Sequence, residues 1–213
     1  MSVNDRAYGD KSYWDRRYEG EDCKDANETN EWLLSYADLV PILTPCLKRI
    51  SGGLHSRVLD VGCGNSKLLP DMRSKGEHTG QLVGIDISGI HAAKEACHGH
   101  NIAIIKADAR TMFVDHTFSE DSFDLVIDKS TVDAMLCDVK NGMKNIEIYS
   151  QQVSSILSEG GNFFVISHNS PEHHDDDDDD GDEEEVAEWL KRIISGLTTP
   201  AISTPSTNKK RKL

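Results

Sequence analysis

The stretch that decides the fold is Val58-Leu59-Asp60-Val61-Gly62-Cys63-Gly64-Asn65-Ser66. It begins as an apolar, strand-like run, which passes into a glycine turn and then into a segment with helical spacing. Gly62 and Gly64 permit positive φ angles and let the backbone approach a ligand where a Cβ atom would clash. The helix that follows presents free backbone N–H groups above the turn. In a doubly wound sheet, a nucleotide-like ligand binds at this position.

Short apolar runs alternate with helical stretches on both sides of this turn. Because strands that alternate with helices are joined by right-handed crossovers, the sequence predicts a Rossmann-like, doubly wound α/β fold with a mainly parallel sheet. Pro41 and Pro45 fall inside the first helical stretch and are expected to kink or end that helix. The predicted strands cover residues 57–61, 82–87, 102–106, 123–128 and 162–167, and the predicted helices cover residues 31–50, 66–74, 89–98 and 146–157.

Asp86 ends the second strand-like run, 22 residues after Gly64, and a carboxylate there can accept hydrogen bonds from both hydroxyls of a ribose. NAD-binding folds share this feature, but their fingerprint needs a third glycine where this chain has Lys67. S-adenosylmethionine has no pyrophosphate and needs no such glycine, so the residues favour a methyltransferase. A dinucleotide enzyme and an α/β domain whose glycine turn binds no ligand are the alternatives. Asp108, after the third strand, can accept from an adenine amino group or begin a turn.

Four stretches carry a resemblance to a known family. YWDRRY (residues 13–18), EWLLSYADLVPIL (31–43), VLDVGCGNS (58–66) and FDLVIDKSTVDAML (123–136) resemble the eukaryotic methyltransferases that modify lysines of translation elongation factor 1-alpha. That family belongs to class I, the seven-strand S-adenosylmethionine-dependent methyltransferases. The resemblance covers roughly residues 10–168. It implies a protein-lysine N-methyltransferase with S-adenosylmethionine as cofactor and elongation factor 1-alpha as protein partner.

The resemblance also implies roles for individual residues. Residues 128–133 (DKSTVD) correspond to a stretch needed for activity, so Asp128, Lys129 and Asp133 are the candidate catalytic residues. Asp128 is the candidate for holding and orienting the incoming ammonium, although a helix cap or a strand-end hydrogen bond also explains an aspartate there. Lys129 is expected to pair with the cofactor carboxylate or with a nearby acid. Aromatic residues of the N-terminal part are expected to close over the cofactor. The expected cofactor site comprises Trp14, Tyr18, Trp32, Gly62, Gly64, Asp86, Ile87, Asp108, Ala109 and Lys129.

The alternation of strands and helices stops after Ser167. Class I methyltransferases normally finish with a sixth strand and an antiparallel seventh strand beside the fifth, and the sequence predicts neither. Residues 186–197 have the spacing of one amphipathic helix, which could cover the open sheet edge. We divide the chain into an N-terminal cofactor-covering segment (residues 1–29), a methyltransferase domain (30–168) and a C-terminal part (169–213) with an acidic run, this helix and a basic tail.

The final strand pair usually helps to shape the acceptor side of the site, and the fold itself does not set the substrate. Two alternatives to protein-lysine methylation therefore stay open. One is methylation of a small molecule or of another protein side chain. The other is a weakly active or non-catalytic protein that binds the cofactor.

The composition narrows the class of partner. Of the 213 residues, 37% are hydrophobic, and ten acids in residues 175–185 account for most of the formal charge of −14. The remaining charge of about −4 argues against a nucleic-acid partner and suits a basic protein. Five scattered cysteines form no CxxC pair and show no metal-ligand spacing, which predicts reduced thiols and no metal site.

The ends of the chain bear on localisation. No apolar run reaches the length that spans a membrane, and the N-terminal residues lack the apolar core of a secretion signal. We therefore expect a cytoplasmic protein with no membrane contact. Lys209-Lys210-Arg211-Lys212 resembles a short nuclear-import signal, although an ordinary solvated end has the same composition, so nuclear access is left open.

Overall fold

The computed structural model describes residues 8–19, 31–169 and 188–198. From β1 onward the predicted strands and helices are present in the predicted order, and one short helix that was not predicted follows the fourth strand. The α-helices are α1 (Lys11–Glu19), α2 (Tyr36–Arg49), α3 (Leu68–Ser74), α4 (Ile90–Ala96), α5 (Thr131–Leu136), α6 (Gly142–Ile156) and α7 (Glu188–Thr198), and the strands are β1 (Val58–Val61), β2 (Leu82–Asp86), β3 (Ala103–Lys106), β4 (Phe123–Lys129) and β5 (Leu157–Ile166).

The described strands form one parallel sheet in the order β3-β2-β1-β4-β5. In the register of the sheet, Val61 at the end of β1 lies opposite Ile85 of β2 and Asp128 of β4. Because the strand order reverses between β1 and β4, the carboxyl ends of these two strands border the crevice where doubly wound folds bind ligands. The predicted Rossmann-like α/β fold is confirmed.

Both faces of the three central strands are covered by helices. Every residue of β1, β2 and β4 is buried, which is why these strands are nearly continuous apolar runs. One face packs around Phe123 and Tyr149 beneath α5, α6 and α7. The other packs around Leu43 and Met72 beneath α2 and α3. The carboxyl edge of the sheet is therefore the part that remains for a ligand.

Helix α2 does not end at either of its two prolines. The helix begins after Ser35, which exchanges capping hydrogen bonds with Asp38, and it runs through Pro41 and Pro45 to Arg49. A proline inside a helix removes one backbone hydrogen bond and costs about 3 kcal/mol in isolation. Three leucines spaced four residues apart offset that cost, because all of them are buried in the core. They are Leu39, Leu43 and Leu47.

The amphipathic helix near the C-terminus takes a different place from the one expected. Helix α7 packs along α6, and the Ser154 hydroxyl donates to the Leu197 carbonyl at 2.7 Å. Ile193 is only 3% exposed and belongs to the core beneath α6. A Cβ atom on Gly196 would collide with Ser150, so the two helices approach closely. Within the described residues no strand follows β5, and α7 extends the helical layer.

The structure also bears on the cysteines and on membrane-spanning helices. The cysteines in the described ranges, Cys46, Cys63, Cys97 and Cys137, are free thiols, and Cys23 lies outside those ranges. None of the described helices is both long enough and apolar enough to cross a membrane. The acidic run and the basic tail also lie outside the described residues.

Candidate active site

A cleft of about 530 Å³ lies over the carboxyl ends of the strands. Residues that follow β1, β2, β3 and β4 form its floor, and aromatic residues from the N-terminal part form its roof. The structure therefore brings most of the predicted cofactor site together around one space. The predicted residues that line it are Trp14, Tyr18, Trp32, Gly62, Asp86, Ile87, Asp108, Ala109, Lys129 and Asp133.

The glycine turn after β1 is shaped by the side chains that pack on it. Gly62 and Gly64 have φ angles of +66° and +48°, which L side chains rarely adopt. A Cβ atom on Gly62 would collide with the Thr131 hydroxyl, and one on Gly64 would lie 2.6 Å from the Tyr18 hydroxyl oxygen. Gly64 lies outside the main cleft and borders a small adjoining pocket beneath Tyr18. The glycines allow neighbouring elements to close onto the turn.

Asp86, predicted to hold the ribose, fastens the glycine turn to β2. Its Oδ2 atom accepts the Gly64 N–H at 2.8 Å, and its Oδ1 atom accepts the Ser88 N–H at 2.8 Å. Burial raises the pKa of Asp86, and these backbone hydrogen bonds oppose that rise. A carboxylate offers about four lone-pair positions. Asp86 lines the cleft, so its remaining positions can accept the hydroxyls of a sugar.

Asp108, predicted to face the adenine, is held by its neighbour Arg110. The Arg110 guanidinium donates to both carboxylate oxygens, at 2.9 and 2.6 Å. Burial alone would raise the pKa of Asp108, but the hydrogen bonds from Arg110 outweigh it and lower that pKa. Asp108 therefore stays ionised at the β3 end of the cleft. The alternative reading of Asp108 as a turn residue also holds, because its Oδ1 atom accepts the Arg110 N–H.

The roof is a cluster of four aromatic rings, those of Tyr8, Trp14, Tyr18 and Trp32. Trp14 stacks on Tyr18 with ring centres 5.8 Å apart, and Trp32 meets Trp14 edge to face at 6.0 Å. The Tyr18 ring lies against Gly89, where an added Cβ would be 2.8 Å from it. The cluster therefore covers the cleft as one packed unit.

Lys129 was expected to pair either with the cofactor carboxylate or with a nearby acid, and in the structure it pairs with an acid. Its ammonium lies 2.7 Å from the Glu31 carboxylate, and its side chain is only 5% exposed. Glu31 also accepts the Lys67 N–H at 2.5 Å and the Ser66 hydroxyl at 3.2 Å. Sequence reasoning missed Glu31. This single carboxylate joins the N-terminal part, the turn after β1 and the end of β4.

The structure corrects the expectation that Asp128 holds the incoming ammonium. The Asp128 side chain is fully buried, and its Oδ1 atom accepts the backbone N–H groups of Thr131 and Val132 at 2.9 and 3.2 Å. It thus caps α5, which is the alternative that the sequence allowed. Burial raises the pKa of Asp128 to about 7. The Tyr149 hydroxyl lies beside it but does not meet the geometry of a hydrogen bond.

Asp133 is the acidic catalytic candidate that lines the cleft. Its carboxylate accepts the Ser167 hydroxyl at 2.5 Å, the His168 N–H at 3.1 Å and the Asn169 side-chain amide at 2.8 Å. His168 and Asn169 also line the cleft. They follow the last strand of the sheet, and that position is the signal by which sequence reasoning could have found them. Asp133 therefore joins α5 to the end of β5 beside the cleft.

The residues present fit S-adenosylmethionine. The Asp86 carboxylate can bind the hydroxyls of a ribose. The turn at Gly62 leaves room for the methionine part of the cofactor, which has no pyrophosphate. Trp32 lines the cleft, and its buried indole N–H lies beside the Tyr18 hydroxyl but meets the geometry of no hydrogen bond among the described residues. A buried donor of this kind is matched by a ligand that carries an acceptor, such as the carboxylate of the methionine part. Together the parallel sheet and this cleft define a class I methyltransferase domain, a class whose cofactor is S-adenosylmethionine.

Comparison with known proteins agrees with this class. The chain belongs to the methyltransferase domain family, whose profile matches residues 54–210. It is 30% identical over 149 residues to the mitochondrial citrate synthase-lysine N-methyltransferase of Pongo abelii, covering 63% of this chain and 61% of that protein. It is 28% identical over 168 residues to the eEF1A lysine and N-terminal methyltransferase of Homo sapiens, covering 76% of this chain and 22% of that protein. The chain thus spans less than two thirds of either relative.

A solved structure shows the same fold. TrmN from Thermus thermophilus superposes with a TM-score of 0.50 at 18% identity, covering 72% of this chain and 42% of that chain. At 18% identity the structural similarity supports the fold and not a shared function.

Proposed function

We propose that the chain transfers a methyl group from S-adenosylmethionine to the side-chain nitrogen of a lysine in a protein. The observation that carries this proposal is that the residues suited to the cofactor and the Asp133 carboxylate line the same cleft. The names of the two relatives support it, since both are lysine methyltransferases that act on proteins.

When bound, S-adenosylmethionine supplies a methyl group already activated on a sulfonium sulfur. The main task of the chain is therefore orientation, because the acceptor nitrogen, the methyl carbon and the sulfur must lie in line. Asp86 and the turn at Gly62 would hold the cofactor, whose methyl carbon would pass to the acceptor nitrogen and leave the bonding electron pair on sulfur. The aromatic roof over the cleft excludes water from this step.

Asp133 takes the acceptor role that the sequence gave to Asp128. It lies at the ends of β4 and β5, and Ser167 and Asn169 fix the orientation of its carboxylate. A lysine side chain has a pKa of about 10.4 and arrives protonated. The negative charge of Asp133 attracts that ammonium to the mouth of the cleft, and the amine loses its proton to solvent before transfer.

Elongation factor 1-alpha is the substrate that we favour. The motifs around residues 13–18 and 123–136 support it, and so does the likeness to an eEF1A methyltransferase. The negative charge of the chain suits a basic protein. An elongation factor as substrate would go with activity in the cytoplasm. Citrate synthase is the second candidate, because a relative at 30% identity is named for it.

The test is methylation of each candidate protein by the purified chain with labelled S-adenosylmethionine. We expect label on elongation factor 1-alpha, mass spectrometry to assign it to a lysine, and Asp133→Asn to abolish it. Glu159→Gln, an exposed acid outside the cleft, is the matched control and should retain activity. Label on citrate synthase alone would establish the second candidate. Label only on a small molecule would contradict protein methylation.

A further inference from the structure

Ser130 has an unusual backbone conformation at the centre of the candidate active site. It follows β4 directly and has a φ angle of +74°, which only glycine adopts without steric cost. Its N–H donates to the Ile166 carbonyl at 2.9 Å, so the ends of β4 and β5 hold it in place. Non-glycine residues in this conformation concentrate at active sites, where the surrounding structure imposes them.

The Ser130 hydroxyl is also without a partner. Its Oγ atom is buried and makes no hydrogen bond within the described ranges. Three polar residues near it in sequence have other partners. The Thr131 hydroxyl donates to the Val61 carbonyl at 2.8 Å, Lys129 pairs with Glu31, and Asp133 accepts from Ser167. A buried hydroxyl that meets no protein partner calls for one from elsewhere.

The position of Ser130 identifies the missing partner. The residue lines the cleft together with Lys129 and Asp133, on the β4–β5 side that we assign to the acceptor. A hydroxyl oxygen there, after rotation about χ1, can accept an N–H of a neutral amine and leave the lone pair of that nitrogen free for the methyl carbon. A carboxylate in the same place would favour the protonated amine, whose lone pair is blocked.

We propose that Ser130 orients the acceptor: its hydroxyl accepts a hydrogen bond from an N–H of the acceptor nitrogen, so that the lone pair of the neutral amine stays free for the methyl carbon. This inference rests on the proposed methyl transfer. It adds a contact to the neutral amine that Asp128 cannot provide, since Asp128 is buried in a helix cap.

A pair of variants separates the hydroxyl from the backbone strain. Ser130→Ala removes the hydroxyl and keeps the Cβ atom at a positive φ angle, whereas Ser130→Gly removes the hydroxyl and relieves the strain. We expect both to lower kcat/KM for the protein acceptor by about five- to tenfold, the effect of one neutral hydrogen bond. Calorimetry should give the same affinity for S-adenosylhomocysteine in both variants and the wild type. The melting temperature should rise in Ser130→Gly alone.

Each other outcome overturns the inference. An unchanged kcat/KM in Ser130→Ala, with an active wild type, would show that the hydroxyl does not meet the acceptor. Equal losses in kcat/KM and in affinity for S-adenosylhomocysteine would assign Ser130 to the cofactor side. Activity lost in Ser130→Ala but kept in Ser130→Gly would mean that strain alone matters. A wild type that methylates no protein would overturn the proposed function and this inference together, whereas the other outcomes leave the proposed function standing.

Discussion

Asp128 and Asp133 belong to one polar stretch, yet their surroundings give them different tasks. Asp128 faces the core and caps α5, and its pKa is raised to about 7 because it is buried. Asp133 faces the cleft and is held by three donors from the end of β5. Both residues are aspartates, so the difference in burial decides which carboxyl group is structural and which one can contact a substrate.

Asp128→Asn is expected to keep turnover close to that of the wild type, because the amide oxygen can accept the same two N–H groups. It should also make stability less dependent on pH. An aspartate has a pKa of about 3.9 in the unfolded chain, and burial raises the pKa of Asp128 in the folded chain to about 7. The stability that comes from this difference is complete below about pH 3.9 and is lost as the pH rises through about 7. Asp60, whose pKa burial also raises to about 7, keeps part of the slope in the variant.

Urea unfolding between about pH 5.5 and pH 8.5 measures this effect, with Asp128→Ala as the control that removes the cap. We expect the alanine variant to be about 1–2 kcal/mol less stable than Asp128→Asn at every pH, the usual effect of a lost helix cap. A large fall in turnover for Asp128→Asn at unchanged stability would return Asp128 to the acceptor site.

Residues within local motifs could be predicted, and contacts between distant residues could not. Gly62 and Asp86 follow from strand ends and a turn, which are local in sequence. The partner of Lys129 is Glu31, which lies 98 residues earlier in the chain, and only the folded chain brings them together. The burial of Asp128 was equally hidden, because a strand end can face either the core or the cleft.

At the scale of elements, the N-terminal part is fastened to the domain at two ends of the cleft. The Ser88 hydroxyl donates to Asp15 of α1 at 2.7 Å, and Glu31 pairs with Lys129 on the opposite side. The aromatic roof between these contacts is therefore held closed by polar groups. Loss of the Ser88–Asp15 hydrogen bond or of the Glu31–Lys129 ion pair should make the aromatic roof more mobile and leave the sheet unchanged.

Glu31→Gln is expected to weaken binding of S-adenosylhomocysteine by about tenfold, as loss of a charge-assisted hydrogen bond in a partly exposed position would do. Calorimetry measures the affinity, and trypsin cleavage at Arg16 and Arg17 reports how far the roof has loosened. Glu159→Gln removes an exposed acid outside the cleft and controls for the change in charge. Wild-type affinity and wild-type cleavage in Glu31→Gln would show that the ion pair does not hold the roof.

Helix α7 offers a matched pair of neighbouring isoleucines. Ile193 is 3% exposed and Ile194 is 53% exposed. We expect Ile193→Ala to lower the free energy of unfolding by about 2–5 kcal/mol and Ile194→Ala to change it by about 0.5 kcal/mol or less. Chemical denaturation measures both. Equal, small effects would mean that α7 does not contribute to the core, and that the domain ends with β5.

The strands and their order along the chain were predictable because each one is a short apolar run between turns. The place of α7 was not predictable. An amphipathic pattern indicates that one face of a helix is buried, but it does not indicate which surface of the protein that face packs against. The predicted helix ends at residue 157 and the predicted strand begins at residue 162, yet β5 begins at Leu157 and contains Gly160 with a φ angle of +74°. Pairing with β4 overrides the local pattern there.

For the whole molecule, the dominant property is charge. The formal charge is −14, and most of it lies in residues 175–185, which follow the cleft-lining Asn169 closely in sequence. A basic protein substrate is attracted by such a chain, whereas binding of the small cofactor depends on short-range contacts. Salt should therefore affect the two steps differently.

We expect kcat/KM for the protein substrate to fall several-fold when salt rises from about 50 to about 300 mM, because screening weakens the attraction between the two proteins. Affinity for S-adenosylhomocysteine should change little. Replacing the acids of residues 175–185 by their amides should flatten the dependence on salt. The same dependence in that variant and the wild type would show that the acidic run does not attract the substrate.

The contact of Tyr18 with the glycines beneath it has a consequence for how related sequences can diverge. Cβ atoms at positions 64 and 89 would lie 2.6 and 2.8 Å from the Tyr18 side chain, so a larger residue at either position requires a smaller one at position 18. The three sites should therefore covary across homologues, with tyrosine retained only beside paired glycines. In a deep mutational scan, Gly89→Ala should be tolerated better with Tyr18→Ala than alone, a sign of epistasis between helix α1 and the turn after β2.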